Sequence, residues 1–311
     1  MNNDYFHKPV LLEEVIKGLN LKEDGIYVDC TMGGAGHSSE ILKKITQGHL
    51  CCFDQDSDCI ETARKKLSLI NNNYTIIKDN FKNIKQRLLE LGIEKVDGVL
   101  FDLGVSSFQF DTPERGFSYK YDSILDMRMD QEKPLTAYDV VNSYDFEKLR
   151  DIFFKYGEEK FSHSIAKNIV KSREVKKIET TFELVEIIKK SLPASVKRKE
   201  GHPAKKVFQA IRIEVNDELN AFEQSLRDSI SMLEKGGRIV VISFHSLEDR
   251  ICKNIFKEKV EVLIPKNVPI LEKDIKREFR LITNKPITAS ENELSVNHRA
   301  HSAKLRILEK I

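Results

Sequence analysis

Asp29-Cys30-Thr31-Met32-Gly33-Gly34-Ala35-Gly36-His37-Ser38 follows the apolar run Ile26–Cys30 and opens a stretch with helical spacing. Strand, glycine turn, helix is the unit that decides the fold. Glycines in such a turn let backbone approach a ligand closely and bring a helix N-terminus up to it. Working outward, Leu50–Phe53, Tyr74–Ile77 and Val96–Phe101 repeat the short apolar run, with helical spacing such as Ile60, Ala63 and Leu67 between them. Near-continuous apolar runs alternating with helices predict a doubly wound, mostly parallel α/β sheet.

After Asp102 the rhythm breaks. Residues 104–130 carry Gly, Pro, Asp and five aromatics without a period, which reads as a long functional loop. From about 135 to 210 the pattern is helical: Phe161, Ile165 and Ile169 share a stripe, and Thr180-Thr181-Phe182-Glu183 fits a capping box. The α/β pattern then resumes. Val215, Leu219, Phe222, Leu226, Ile230 and Leu233 predict one long helix stopped at Gly236-Gly237. Arg238–Phe244, Leu281–Thr283 and Lys304–Leu308 complete the expected strands. The implied organisation is a first α/β segment over 1–107, an active-site loop with a basic, helical, substrate-binding insert over 108–213, and a second α/β segment over 214–311.

Composition narrows the class. The 311 residues are 40% hydrophobic and 32% charged, enough apolar content for a core. No apolar run approaches the ~20 residues of a membrane span, or the apolar stretch of a signal peptide. Five cysteines without a C-x-x-C pair argue for a reduced, cytoplasmic protein with neither disulfide framework nor zinc finger; no metal is expected. The net charge of +2 is unevenly spread. Residues 155–206 hold 14 Lys/Arg against 7 Glu, which fits either a phosphate-binding surface or a solvated helix face.

The glycine loop lacks the third glycine of a dinucleotide fingerprint, because Ser38 or Ser39 falls at that place. Asp54 ends the second strand, where a carboxylate accepts hydrogen bonds from both hydroxyls of a ribose, whether of NAD or of S-adenosylmethionine. Asp29 and Asp102 at neighbouring strand ends add negative charge, which suits a sulfonium cation and repels a pyrophosphate. Phe81, after the third strand, is placed to lie against an adenine ring. Asp54-Gln55-Asp56-Ser57-Asp58 resembles the start of a calcium loop, but Cys59 and Lys65 stand where glycine and glutamate are needed.

Over nearly its whole length the chain resembles the bacterial small-subunit ribosomal RNA methyltransferases that modify the N4 amine of a cytosine in the decoding region. The matching stretches include His7-Lys8-Pro9-Val10-Leu11-Leu12, the Asp29–Ser38 loop, Phe101-Asp102-Leu103-Gly104-Val105-Ser106-Ser107 and Glu114-Arg115-Gly116-Phe117-Ser118. They continue through Leu125–Asp130, Tyr156–Glu159, His202-Pro203-Ala204, Phe208–Ile213 and Ile242–Arg250. The resemblance implies a class I, Rossmann-like S-adenosylmethionine-dependent methyltransferase fold with an inserted helical domain. It implies S-adenosyl-L-methionine as cofactor, held by Ala35, Gly36, His37, Asp54, Phe81, Asp102 and Gln109. It implies cytosine 1402 of 16S rRNA, within the small ribosomal subunit, as target. Phe108 stands where the family has proline, and His298 and His301 replace a proline and an arginine.

The amine of cytosine is a poor nucleophile, its lone pair being delocalised into the ring. An enzyme must hold it in line with the methyl group and supply an acceptor for its proton. Asp102 is the expected acceptor; His245 and Asp249, after the strand Arg238–Phe244, are further catalytic candidates. Phe108, Phe110, Phe117, Tyr119 and Tyr121 offer faces on which an extruded base stacks. Two other readings remain: an oxidoreductase on a similar sheet, and an RNA-binding assembly factor that keeps S-adenosylmethionine as a structural ligand.

Overall fold

A computed structural model describes residues 9–194, 201–261 and 277–311. Its sheet has seven strands: β1 (Ile26–Asp29), β2 (His49–Asp54), β3 (Tyr74–Lys78), β4 (Val96–Asp102), β5 (Leu233–Ser243), β6 (Phe279–Leu281) and β7 (Lys304–Lys310). Their order across the sheet is β3-β2-β1-β4-β5-β7-β6. The first five strands pair in parallel, while β7 runs antiparallel to β5 and β6.

The period of two explains why these runs are apolar throughout. Tyr27, Leu50, Cys52, Leu100, Val240 and Ile242 enter one core layer. Their chain neighbours Val28, Cys51, Phe53, Phe101, Ile239 and Val241 enter the other. A sheet covered on both faces buries both sets, so no polar alternation survives. Helices α1 (Leu12–Leu19), α2 (Gly36–Lys44), α3 (Ser57–Leu67) and α4 (Ile84–Glu90) belong to this first unit.

The chain divides into two compact units, 1–104 with 219–311, and 105–218, a few residues from the boundaries 107/108 and 213/214 that the sequence pattern implies. The second unit contains α5 (Ser107–Asp111), α6 (Ala137–Ser143), α7 (Phe146–Lys155), α8 (Ser162–Val175), α9 (Thr181–Ser191) and α10 (Lys205–Asn216). Its own apolar core gathers Leu149, Phe153, Ile165, Ile169, Leu184, Ile188 and Ile211. The Thr180–Glu183 capping box closes α9 as the sequence predicts.

Three expectations need correction. The long helix through Val215 and Leu233 is two helices: α10 stops at Asn216, and α11 runs Glu218–Met232. Asp217 between them is left-handed, with φ of 53°. The buried Asn216 side chain explains the stop. Its amide donates to the Met127 carbonyl (2.8 Å) and accepts from the Met129 N–H (2.8 Å), tying the helix end to an irregular loop. Gly236-Gly237 lies inside β5, which already begins at Leu233 and shifts register against β4 there. The strand expected at Leu281–Thr283 sits two residues earlier, and the stretch 104–130 holds the short helix α5 and a 3-10 turn at Pro113–Arg115.

Candidate active site

The strand order reverses between β1 and β4, which opens a crevice at the carboxyl ends of the central strands. Three carboxylates stand there, at the ends of β1, β2 and β4. Asp29 is buried and accepts hydrogen bonds from the Ser38 hydroxyl (2.6 Å) and the Thr31 N–H (3.0 Å). Burial raises its pKa against the pull of those donors.

The turn after β1 passes through left-handed conformations at Gly33 (φ 48°) and Ala35 (φ 57°) before α2 begins. A Cβ on Gly36 would lie 2.5 Å from the Pro9 ring, so the first residue of α2 has no room for a side chain. A Cβ on Gly34 would meet nothing within 4 Å. The loop therefore presents an open face beside a helix N-terminus.

Asp54 holds this loop in place. Its Oδ2 accepts from the Gly33 N–H (2.8 Å) and its Oδ1 from the Asp56 N–H (2.9 Å). Burial pushes its pKa up to about 7 in spite of these two donors, with Asp56 and Asp29 adding to the rise. Each oxygen keeps a lone pair beyond its backbone partner. Asp56 in turn caps α3, accepting from the Asp58 N–H.

Asp102 is different. Its N–H donates to the Thr31 hydroxyl (2.7 Å), which fixes the end of β4 against the glycine loop. Its Oδ2 lies 3.4 Å from Nδ1 of His37, and its Oδ1 is buried without a hydrogen-bond partner. A quarter of the side chain (25%) stays accessible, none of it at Oδ1. Burial first, then Asp29 and Glu248, push its pKa up to about 8, against Arg299. His37 is 5% exposed and its Nε2 meets the Val10 carbonyl at 3.0 Å. Burial brings its pKa down to about 4.

Ala35 and Gly36 contribute backbone at the start of α2, and Phe81 stands edge-on to Phe101 with ring centroids 5.9 Å apart. Gln109 belongs to the second unit, where it is buried and closes the capping box of α5 with Ser106. His245 caps the helix α12 (Ser246–Val260), also through a capping box, with Glu248 accepting from the Phe244 N–H at 2.8 Å. Asp249 accepts from Arg306 (2.7 Å) and Lys304 (3.3 Å). Burial works to raise its pKa, but these cations hold it below the usual carboxylate range. Asp249 thus has structural partners; His245 caps its helix through Nδ1, while its buried Nε2, 3.1 Å from Glu248 Oε1, makes no hydrogen bond, as Asp102 Oδ1 makes none.

Sequence reasoning missed Thr31, Ser38 and Glu248, whose partners are remote or specific to the fold. Only Glu248 left a signal, three residues after the cap. Among the loop aromatics, Phe117 is buried and Phe110 packs on the core of the second unit. Tyr119 stacks on His202 (4.2 Å), while Phe108 and Tyr121 are exposed. His298 and His301 stack on each other at 6.1 Å. Lys197, Arg198 and Lys199 lie outside the described residues.

A parallel sheet with one antiparallel strand slotted between β5 and β6, entered by a glycine turn after β1, defines the class I S-adenosylmethionine-dependent methyltransferases. Comparison with known families gives the particular member: residues 4–311 match the MraW methylase family, and the chain belongs to it. It is 56% identical over 306 residues to the ribosomal RNA small subunit methyltransferase H of Exiguobacterium sibiricum, spanning 98% of each chain. It is 54% identical over 314 residues to the protein so named in Streptococcus dysgalactiae subsp. equisimilis, spanning 100% of this chain and 99% of that one. Among solved structures, an rRNA methylase from Streptococcus thermophilus is far more remote. It has a TM-score of 0.44 and 12% identity, over 96% of this chain and 93% of that one.

Proposed function

We propose that the protein methylates the N4 amine of cytosine 1402 in 16S rRNA, using S-adenosylmethionine and acting in the cytoplasm on the small ribosomal subunit. The observation that carries the chemistry is Asp102 Oδ1: a buried acceptor without a partner at the end of β4, beside an open glycine turn. An orphaned acceptor of this kind fits a ligand that brings a donor or a positive charge. The target assignment is supported by the names of relatives at 54–56% identity and by the basic insert.

The residues present fit S-adenosylmethionine. Asp54 would accept the ribose hydroxyls on its remaining lone pairs, and the Ala35–Gly36 backbone and His37 would flank the sulfonium end. Phe81 would lie against the adenine, and Gln109 is assigned to the cofactor by the family resemblance. The cofactor supplies an electrophilic methyl group on a positively charged sulfur. Asp102 then holds the amine by one N–H, directing the nitrogen lone pair at the methyl carbon, and takes the proton released as the new N–C bond forms. A positioned proton acceptor contributes about 10²–10⁴-fold in rate. Phe108 and Tyr121, being exposed, are the loop aromatics available for stacking on an extruded base.

The test is methyl transfer from labelled S-adenosylmethionine to small subunits that lack the modification, with the product nucleotide located by mass spectrometry. Label on the N4 of that cytosine is expected; label elsewhere, or none, overturns the reading. For the RNA surface, changing Lys197, Arg198 and Lys199 to Ala should flatten the log–log salt slope of RNA binding by about two to three. Cofactor affinity should not move. An unaltered slope makes the cluster a solvated face.

A further inference from the structure

His37 has chemistry that methyl transfer as described above leaves unused. A carbonyl oxygen only accepts, so the 3.0 Å contact with Val10 places the ring hydrogen on Nε2. Burial keeps the ring neutral at pH 7, which leaves Nδ1 a bare acceptor. Nδ1 faces Asp102 Oδ2 at 3.4 Å. Two lone pairs so close repel each other unless a proton stands between them. The surroundings favour that proton: Asp29 from β1 and Glu248 from α12 oppose a negative charge on Asp102, and Arg299 acts against them. The Asp102 backbone N–H donates to the Thr31 hydroxyl and leaves the carboxyl untouched.

We infer that His37 and Asp102 hold a single proton between them in the ligand-free protein, and that a cationic sulfonium ligand expels it. His37 is thereby a positioning residue that sets the protonation state of Asp102. The inference rests on the cofactor reading above and deepens it. The proton balance closes over a cycle. On binding, the carboxyl O–H bond breaks and the proton passes to buffer, so the site gains one positive charge and loses another. The carboxylate, now charged over both oxygens, is the acceptor the amine requires, with Oδ1 unpartnered as before. In methyl transfer the S–C bond breaks, the N–C bond forms and the amine N–H bond breaks, its proton passing to Asp102. The cofactor product is a neutral thioether, and the His37–Asp102 pair again holds one proton.

Calorimetric titration of the full-length protein at pH 7 tests this, in two buffers of different ionisation heat. S-adenosylmethionine should release about one proton more than S-adenosylhomocysteine, because only the first carries the positive charge. Asp102→Asn should abolish the difference. His37→Asn should move the midpoint of proton release to lower pH, since the carboxyl loses its acceptor; a purely structural histidine would leave that midpoint in place. Equal release by the two ligands overturns the inference, as does a difference that survives in Asp102→Asn, which would assign the proton to Asp54. Absence of binding by both ligands takes down the cofactor reading, and this inference with it.

Discussion

Two sets of carboxylates stand in the first unit and have opposite surroundings. At the ends of β2 and β4, Asp54 has backbone donors, and Asp102 has a neutral imidazole 3.4 Å from one oxygen and no partner at the other; their pKa values rise to about 7 and about 8. Around β7, Asp249 is pinned by Arg306 and Lys304, and Glu309 by Arg280 (3.0 Å) and Arg238 (3.4 Å). Paired carboxylates hold the sheet edge together. Unpaired ones cost folding energy, which marks the crevice end of the sheet as the part shaped for a ligand.

The largest effect that tests this contrast is Asp102→Asn. The amide keeps the size and one acceptor oxygen but loses the charge, so single-turnover methyl transfer at saturating cofactor should fall about 10²–10⁴-fold. The melting temperature should stay close to normal or rise. A wild-type rate would reduce Asp102 to shaping the pocket.

Asp54→Ala should weaken S-adenosylmethionine binding at least tenfold by calorimetry, since charge-assisted hydrogen bonds contribute about 1.5–3 kcal/mol each. The structure adds a second consequence. Gly33 and Asp56 lose their acceptor, so amide exchange in the glycine turn should quicken; Asp54→Asn, which keeps one acceptor, should restore part of that protection. Unchanged affinity would remove Asp54 from the cofactor site.

Asp249→Asn should do the reverse of Asp102→Asn. Leaving Arg306 with a weakened partner should cost about 1–3 kcal/mol of stability, read as a lower denaturation midpoint, while single-turnover rate is retained. A large loss of rate at normal stability would place Asp249 with the unpaired set.

The smallest effect is a pH slope. Asp102 has its pKa raised in the folded state, so it contributes stability at pH below about 4 that is lost as pH climbs toward about 8. Asp249, whose folded value is lowered, contributes stability above the ordinary carboxylate range and loses it as pH falls through that range. Ligand-free wild type should therefore lose more melting temperature between pH 6 and 8.5 than Asp102→Asn does, with Asp54 adding to the slope in both. Identical slopes would mean that Asp102 carries no buried charge.

Much of the fold was legible because its signals are local. A short apolar run of up to four residues reports a strand buried on both faces, and the β-α alternation reports parallel connection. The glycine turn and Asp54 were legible for the same reason: turn and strand end are adjacent in sequence to the strands that place them. Thr180–Glu183 announced its helix through two side chains three residues apart. The resemblance to a known family then supplied residue roles that no periodicity encodes.

The tertiary structure decided whatever depends on partners remote in sequence. The periodicity of Val215 and Leu219 runs straight through Asp217, and only the bonds from Asn216 to Met127 and Met129 show why the helix stops. His245 and Asp249 read as catalytic candidates because they follow a strand at the right end of a sheet. The fold adds their partners: Glu248 at the helix cap, and Arg306, 57 residues further on. Asp102 and His37 are 65 positions apart in the chain. Burial, an orphaned oxygen and a neutral imidazole facing a carboxyl arise only when β4 and α2 are brought together, because desolvation and Coulomb energy act through space and not along the chain.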